Sequence, residues 1–326
     1  MATAATLDAV VRAGGPQLGS LMQRVEQRLG ELAGGYGPLL AEQAGATIAA
    51  GGKRLRPLLV LLAAGPTTEG LDADRLIRSA VAVELIHSAS LVHDDVLDRA
   101  PTRRGIPTVF AAAGRTAATA TGDFLFSRAF AELAAGGEVD DVRALSQASS
   151  ALAAGELLQR EDAWNVEVAL ERYLHRCELK TGALFEAACR LGALAGDGPA
   201  DALAAFGRAI GLAFQLLDDV LDVSGPVERT GKARGTDLLD GTVTLPLIVA
   251  RERDPELAAL DLRALDGPVA AERLCDRIAA SGALAEAKRR ALAVVGEAKA
   301  GLPRTLPAPQ RATLELVADG VVERYA

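Results

Sequence analysis

The chain has 326 residues, and its net charge of −8 argues against a surface that binds nucleic acid or anionic membranes. Alanine and leucine dominate while aromatic residues make up only 3%, a composition that favours helices over strands. No long linker rich in serine, proline or glycine divides the sequence. We therefore expect one all-helical domain over residues 1–326.

The sequence carries no sign of export or of membrane insertion. No basic segment followed by an apolar core opens it, and its longest wholly apolar run, Leu58 to Ala64, is far shorter than the ~20 residues that span a bilayer. The cysteines, Cys177, Cys189 and Cys275, have no metal-binding spacing, and we expect them to be free, reduced and buried. A cytoplasmic protein without a transmembrane segment is predicted.

The first predicted element is an amphipathic helix over residues 17–33, after a loose start at residues 1–16. A basic turn at residues 49–57 follows, in which two glycines precede Lys53 and Arg56 at the start of the next helix. Glycine lets the backbone approach a ligand, and a helix N-terminus adds oriented N–H groups, so the turn is a candidate anion site. A solvated basic turn is the alternative.

The central motif, Asp-Asp-Val-Leu-Asp, ends an apolar helix predicted over residues 72–98. Residues four apart share a helix face, so Asp94 and Asp98 lie one turn apart, with His87 two turns before Asp94. Two like charges repel there by ~0.2–0.5 kcal/mol on a wet surface and by more when they are buried. A cation is therefore expected between them.

The same five residues recur at 218–222, at the end of a second apolar helix predicted over residues 201–223. We name Asp94, Asp95 and Asp98 the first aspartate group, and Asp218, Asp219 and Asp222 the second aspartate group. If the two groups face each other across a cavity, they form an oxygen-rich site suited to a hard divalent cation such as Mg²⁺. Residues 247–326 are predicted to form further amphipathic helices that support the bundle.

These motifs, in their order and spacing from about residue 45 to 250, resemble those of the trans-isoprenyl diphosphate synthases, or polyprenyl synthetases. Further matches are Arg103-Arg104-Gly, Lys180-Thr181, Phe-Gln215 and Gly-Lys232. The resemblance implies an all-α bundle of the isoprenoid-synthase type around a central apolar cavity. It also implies a homodimeric, Mg²⁺-dependent prenyltransferase that joins isopentenyl diphosphate to an allylic prenyl diphosphate.

The resemblance also implies a role for each matching residue. The catalytic group is Asp94, Asp98 and Asp218, which would hold the metal, with Lys180 and Lys232 at the allylic diphosphate. The substrate-binding residues are Lys53, Arg56, His87 and Arg104 at isopentenyl diphosphate, and Arg103 and Thr181 at the allylic diphosphate. Gln215, also a substrate-binding candidate, lies one turn before Asp218 on the face of the second aspartate group. Glu156 and Gln159 are expected to support the site without touching substrate, while Trp164 and Tyr173 receive no role.

One segment departs from the family pattern. Asp240-Gly241-Thr242 has threonine where many relatives have a lysine that contacts phosphate. A neutral hydroxyl there is expected to weaken diphosphate binding or to leave that contact to Arg229 or Arg234.

The expected reaction is ionisation of the allylic diphosphate, attack by the double bond of isopentenyl diphosphate, and loss of a proton. Ala89 and Ser90 lie just before the first aspartate group, where an aromatic residue limits the product in short-chain relatives. These small residues predict a product of twenty carbons or longer.

Three other functions stay open. A terpene cyclase or a head-to-head condensing enzyme shares the helical architecture but resembles the chain less. A di-iron carboxylate bundle requires two Glu-x-x-His motifs, of which Glu84 to His87 supplies one. A non-catalytic regulatory subunit of a heteromeric synthase would tend to lack the aspartates that are present here.

Overall fold

The computed structural model describes residues 9–34, 37–50, 52–66, 72–103, 105–225 and 234–323. The chain is 80% helical with 1% strand, so the predicted all-α class is confirmed. After a short helical segment at residues 9–13, the first half contains α1 (Pro16–Gly34), α2 (Pro38–Ala49), α3 (Leu55–Ala63), α4 (Ala73–Leu97), β1 (Thr102–Arg103), β2 (Ile106–Pro107), α5 (Val109–Ala134) and α6 (Val139–Glu161). The second half contains α7 (Leu170–Cys177), a π-helical turn (Glu178–Gly182), α8 (Ala183–Ala195), α9 (Ala200–Ser224), α10 (Thr236–Leu239), α11 (Leu245–Arg253), α12 (Pro255–Ala258), a 3₁₀ turn (Leu262–Ala264), α13 (Gly267–Ala280), α14 (Ala283–Ala300) and α15 (Ala308–Glu323).

Helix α4 forms the centre of the bundle. Its N-terminus is capped by Asp72, whose side chain accepts a hydrogen bond from the Arg75 N–H at 2.9 Å. Nearly every residue from Leu76 to Val92 is buried, which is the pattern of a helix surrounded by others. Helix α5 is its most extensive packing partner, while α9 packs against α8 and α14.

Most predicted helices begin and end within a residue of their expected bounds, but the N-terminal segment and two turns differ. Residues 9–13 are helical, so the predicted loose start is wrong there. Helix α3 already begins at Leu55, and Pro57 fits its first turn because the N–H groups of that turn have no helical partner. The predicted loop after α4 is a short antiparallel hairpin, β1–β2, whose turn includes Gly105 at φ 80°.

The last helix, α15, packs against α3, α9 and α14. Gln310 on α15 donates hydrogen bonds to the carbonyls of Leu62 and Ala63, both at 3.0 Å, and so satisfies two carbonyls at the end of α3. One cluster of buried apolar side chains runs through the described chain from Val10 to Val321. The three cysteines are free and buried, as predicted.

Candidate active site

The first aspartate group lies at the C-terminal end of α4. Asp98 is the residue that caps this helix, and its N–H donates to the Asp94 carbonyl at 2.8 Å. Burial raises the pKa of Asp94 to about 6, although the charge of Lys180 opposes that shift. The Asp94 carboxylate accepts no hydrogen bond from the described part of the chain, so its oxygens are open to a ligand.

The side chain of Asp95, the middle residue of this group, binds the hairpin. Its Oδ1 accepts hydrogen bonds from Arg103 Nε at 2.9 Å and from Arg103 Nη2 at 2.8 Å. Asp95 is buried, so this contact fixes the hairpin against the end of α4. Arg104 lies outside the described residues.

Lys180, on the π-helical turn, interacts through its charge with the first aspartate group. Its ammonium contacts a carboxylate oxygen of Glu156 on α6 and donates to Gln159 Oε1 at 3.3 Å. Burial disfavours the charge on Lys180, but Asp94 and Glu156 outweigh it and raise the pKa of the amine. Lys180 therefore stays protonated near the first aspartate group, and the Mg²⁺ expected between Asp94 and Asp98 stays a prediction.

Arg160 supplies a second cation at the same place. Its Nη2 donates to Asp98 Oδ1 at 2.6 Å, and its Nε donates to Glu156 Oε1 at 2.8 Å. Arg160 and Glu156 are one turn apart on α6, so the arginine links this helix to the end of α4. The sequence assigned no role to Arg160.

In the second aspartate group, both oxygens of Asp219 are occupied. Oδ2 accepts a hydrogen bond from the Tyr173 hydroxyl, and Oδ1 accepts one from Gln215 Nε2 at 2.8 Å. The Thr181 hydroxyl donates in turn to Gln215 Oε1 at 2.7 Å. Thr181 and Gln215, both predicted to bind substrate, thus lie together and connect the π-helical turn to Asp219.

Asp237 on α10 approaches the second aspartate group from another direction. Burial raises the pKa of Asp219, and the charge of Asp237 raises it further. The Asp237 N–H donates to Asp222 Oδ2 at 3.4 Å. Lys232 lies outside the described residues, so its predicted position over the diphosphate stays a prediction.

Arg234, one of the two residues expected to take over the phosphate contact missing at Thr242, is engaged in other contacts. Arg234 donates to the Val223 carbonyl and to Asp276 Oδ1, both at 2.9 Å, so it caps the end of α9 and pairs with α13. Thr242 itself donates its backbone N–H to the Asp237 carbonyl at 2.8 Å. Arg229, the other expected substitute, lies outside the described residues.

Two glycines let the neighbouring helices approach the π-helical turn. A Cβ on Gly155 of α6 would lie 2.5 Å from the Lys180 backbone nitrogen, and one on Gly211 of α9 would lie 2.8 Å from the Gly182 Cα. Real Cβ atoms do not come so close. The turn is therefore held between α6 and α9 with Lys180 and Thr181 in place, in keeping with the frequent use of π-helical turns at functional sites.

The basic turn is held in place by Arg54. This residue has a left-handed backbone at φ 47°, and its side chain donates to Glu26 at 2.5 Å and to Glu84 at 2.8 Å. Its Nη2 also reaches the Ile48 carbonyl at 2.9 Å. Arg54 therefore joins α1, α2 and α4 around the turn, whereas Lys53 is exposed.

Arg56 lies deeper, with its guanidinium 4.6 Å from the centre of the Phe185 ring. Burial lowers the pKa of Arg56 to about 10, although Glu84 and Asp218 oppose that shift. Its Nε is buried and has no hydrogen-bond partner in the described structure. A buried donor without a partner is costly, so Arg56 suits an anionic ligand.

His87 lines a groove between α2, α4 and the hairpin. The groove brings His87 together with Arg54, Ser88, Asp95 and Arg103. Three segments predicted to bind substrate, namely the basic turn, α4 and the hairpin, thus meet at one end of the bundle.

Comparison with known proteins decides the family. The polyprenyl synthetase family model matches residues 38–272, a range that includes the basic turn and both aspartate groups. This chain belongs to the polyprenyl synthetase family. It is a trans-polyprenyl diphosphate synthase, which is a prenyltransferase.

Named relatives among the polyprenyl synthetases agree over most of the chain. Heptaprenyl diphosphate synthase component 2 of Geobacillus stearothermophilus is 40% identical over 77% of this chain and 81% of its own length. Geranylgeranyl diphosphate synthase of Methanosarcina mazei is 37% identical over 84% of this chain and 86% of its own length. A polyprenyl synthase from Caulobacter crescentus, crystallised with calcium and isoprenyl diphosphate, superposes with a TM-score of 0.91 at 35% identity, covering 98% of both chains. The predicted isoprenoid-synthase fold is confirmed.

The donor set of this polyprenyl synthetase fits a hard divalent cation, and the family uses a divalent metal. Within the described residues, no three Asp, Glu, His or Cys side chains stand together as a ready-made metal cage. Mg²⁺ does not need one, because it takes one or two protein carboxylates and completes its shell with water and substrate phosphates. The open, partly buried carboxylate of Asp94 is a donor of that kind.

The residues predicted to set product length are buried in this synthetase. Ala89 is fully buried, and Ser90 donates its hydroxyl to the His87 carbonyl at 2.8 Å. Both lie on α4 between His87 and the first aspartate group.

Three residues that hold the site were not predicted from the sequence. Arg54 is part of the basic turn, but the sequence of this turn does not distinguish an arginine that binds substrate from one that holds the fold. Tyr173 lies seven residues before Lys180, roughly two helical turns. This spacing could have indicated that Tyr173 belongs to the site. Arg160 follows Gln159 directly and carried no signal.

Two helices of this polyprenyl synthetase, α4 and α9, are long and apolar enough to cross a bilayer. Their most apolar windows are 78% and 56% buried inside the protein. The buried central helices of a globular fold meet the same criteria of length and apolar composition. These two helices are therefore weak evidence for a membrane span.

Proposed function

We propose that this synthetase extends an allylic prenyl diphosphate with isopentenyl diphosphate through Mg²⁺-assisted ionisation. One observation supports this most: adjacent residues of the π-helical turn interact with both aspartate groups, Lys180 through its charge and Thr181 through a hydrogen-bonded glutamine. The Lys180 amine is near enough to Asp94 and Asp98 for their charges to raise its pKa, while the Thr181 hydroxyl joins the second group through Gln215. A protonated amine that interacts with these carboxylates supports the binding of a metal-bound diphosphate at this place.

Asp94, Asp98 and Asp218 would hold the metal. The middle aspartates, Asp95 and Asp219, are buried and accept hydrogen bonds from Arg103 and from Tyr173 and Gln215, respectively. Bound Mg²⁺ would place positive charge on the leaving diphosphate. Lys180 is protonated and already positioned, so it adds charge without reorganisation as the carbon–oxygen bond breaks. Lys232 is proposed to add a second such charge, with Arg103, Thr181 and Gln215 orienting the allylic substrate.

Isopentenyl diphosphate is proposed to bind at the basic turn. Arg56 offers a buried Nε without a partner, and Lys53 is exposed at the mouth of the same turn. His87 and Arg104 would complete this subsite. Phe185 and the apolar residues of α4 would keep water away from the carbocation.

The proposed product has twenty carbons or more. No bulky side chain occupies positions 89 and 90, and the relatives above are named geranylgeranyl and heptaprenyl synthases. The test is chromatography of products made from labelled isopentenyl diphosphate, Mg²⁺ and ten-, fifteen- or twenty-carbon primers. Elongation past fifteen carbons is expected, whereas a product that stops there with isopentenyl diphosphate in excess would contradict the proposal. Ala89→Phe or Ser90→Phe should shorten the product.

We also propose a cytoplasmic homodimer. Helix α5 presents exposed residues from Ala111 to Thr116, half of them alanines, which suits contact with a second copy. The name "component 2" of one relative suggests a two-component assembly as the alternative. Light scattering after size-exclusion chromatography should give twice the chain mass for an active enzyme. An active monomer, or activity only with a second protein, would contradict the homodimer.

A further inference from the structure

The contact between Arg160 and Asp98 places a fixed cation on a proposed metal ligand. Arg160 Nη2 lies 2.6 Å from Asp98 Oδ1, a charge-assisted hydrogen bond at the short end of its range. Asp98 caps α4 and has no other hydrogen bond from a side chain in the described structure. In the enzyme without substrate, the charge of this carboxylate is therefore offset from within the protein.

The pair is accessible enough for an ion to displace it. The side chains of Arg160 and Asp98 are 40% and 38% exposed, so water screens their attraction. Ion pairs this exposed are weak, and a divalent cation attracts a carboxylate more strongly than a guanidinium does.

Arg160 would remain beside the site after losing Asp98. Its Nε is held by Glu156 at 2.8 Å, one turn earlier on the same helix, and Glu156 also contacts Lys180. Glu156 is only 12% exposed, so this second contact is better shielded than the first. The positive charge therefore stays close to any cation that binds Asp98 and opposes its binding.

We propose that Arg160 competes with the divalent cation for Asp98 and so lowers the cation affinity of the substrate-free enzyme. This inference rests on the proposed role of Asp98 as a metal ligand. Removing the competing charge should tighten cation binding by about two- to fivefold, the range that the loss of an exposed ion pair allows.

The test measures Mn²⁺ binding to the full chain without substrate, from the electron paramagnetic resonance signal of free Mn²⁺. Arg160→Gln should tighten binding by about two- to fivefold, while Arg160→Lys, which keeps the charge, should stay near the parent value. Arg143→Gln is the matched control, because Arg143 lies on the same helix in an exposed pair with Asp140. It should leave the affinity unchanged.

Asp98→Asn tests the metal role of Asp98 separately from its competition with Arg160. If this variant binds Mn²⁺ as the parent chain does, Asp98 is not a ligand, and both its metal role and the competition are wrong. If Asp98→Asn weakens binding but Arg160→Gln leaves it unchanged or weaker, only the competition is wrong. Tighter binding in Arg160→Gln together with weaker binding in Asp98→Asn supports both.

Discussion

Gly155→Ala adds one methyl group to α6 where it meets the π-helical turn. The new Cβ would lie 2.5 Å from the Lys180 backbone nitrogen and 2.8 Å from its Cα. Because these are backbone atoms, no side-chain rotation relieves the clash. The separation must grow from 2.5 Å to at least 3.0 Å, so the turn moves away from α6 by roughly half an ångström or more.

Two opposing terms set the effect on stability. Overpacking at a tight contact costs about 1–3 kcal/mol. Replacing glycine by alanine inside a helix returns about 0.8–1 kcal/mol. The net loss in the free energy of unfolding is therefore about 0–2 kcal/mol, which a folded enzyme of this size tolerates.

Activity should fall much more than stability. The displaced turn carries Lys180 and Thr181, which approach the two aspartate groups. A misplacement of about 1 Å can cost 10²-fold in rate, so a shift of half that size or more predicts a loss of about 10- to 100-fold in kcat. The loss should appear at temperatures where circular dichroism shows a fully folded chain.

The assay pairs steady-state kinetics with urea unfolding. Gly30→Ala is the matched control, because Gly30 lies on the exposed face of α1 and a Cβ there meets nothing within 4 Å. It should gain about 0.5–1 kcal/mol in stability at unchanged activity. A Gly155→Ala enzyme with the parent kcat would refute the reasoning.

Other contacts lead to similar tests. Tyr173→Phe leaves Asp219 Oδ2 without its donor and should lower the free energy of unfolding by about 1.5–3 kcal/mol in urea titrations, so an unchanged midpoint would contradict this role. Arg54→Gln should raise the KM for isopentenyl diphosphate about tenfold with a smaller change in kcat, because the basic turn loses its fixed position; an unaltered KM would count against it. Asp95→Asn should raise the KM for the allylic substrate through Arg103 but leave Mn²⁺ binding to the free enzyme intact, and loss of that binding would make Asp95 a metal ligand.

Sequence reasoning succeeded for α4 and α9 because their apolar patterns are long and their motifs repeat. Two copies of a five-residue motif predicted helix ends rich in carboxylates, and the structure has these ends at Leu97 and Ser224. The sequence could not show which aspartates of each group accept hydrogen bonds from protein side chains. The structure commits Asp95 to Arg103 and Asp219 to Tyr173, and such pairings depend on side chains that meet only after folding.

The basic turn shows the same limit. Lys53, Arg54 and Arg56 are equally charged neighbours, and nothing in their order shows which of them is structural. Only the positions of Glu26 and Glu84 on other helices assign Arg54 to the scaffold. The hairpin at Arg103 was missed because strands of two residues carry no periodicity.

The π-helical turn is in effect a one-residue insertion within a continuous rod from α7 to α8, closed by the Ala183 N–H on the Glu178 carbonyl. One extra residue rotates everything downstream by about 100° relative to an uninterrupted α-helix. The upstream half can thereby direct Tyr173 at Asp219 while the downstream half directs Phe185 at Arg56. Deleting a single residue here would leave the composition almost untouched yet turn one half of the rod away from its partners, so alignment gaps at this point carry more functional meaning than most substitutions.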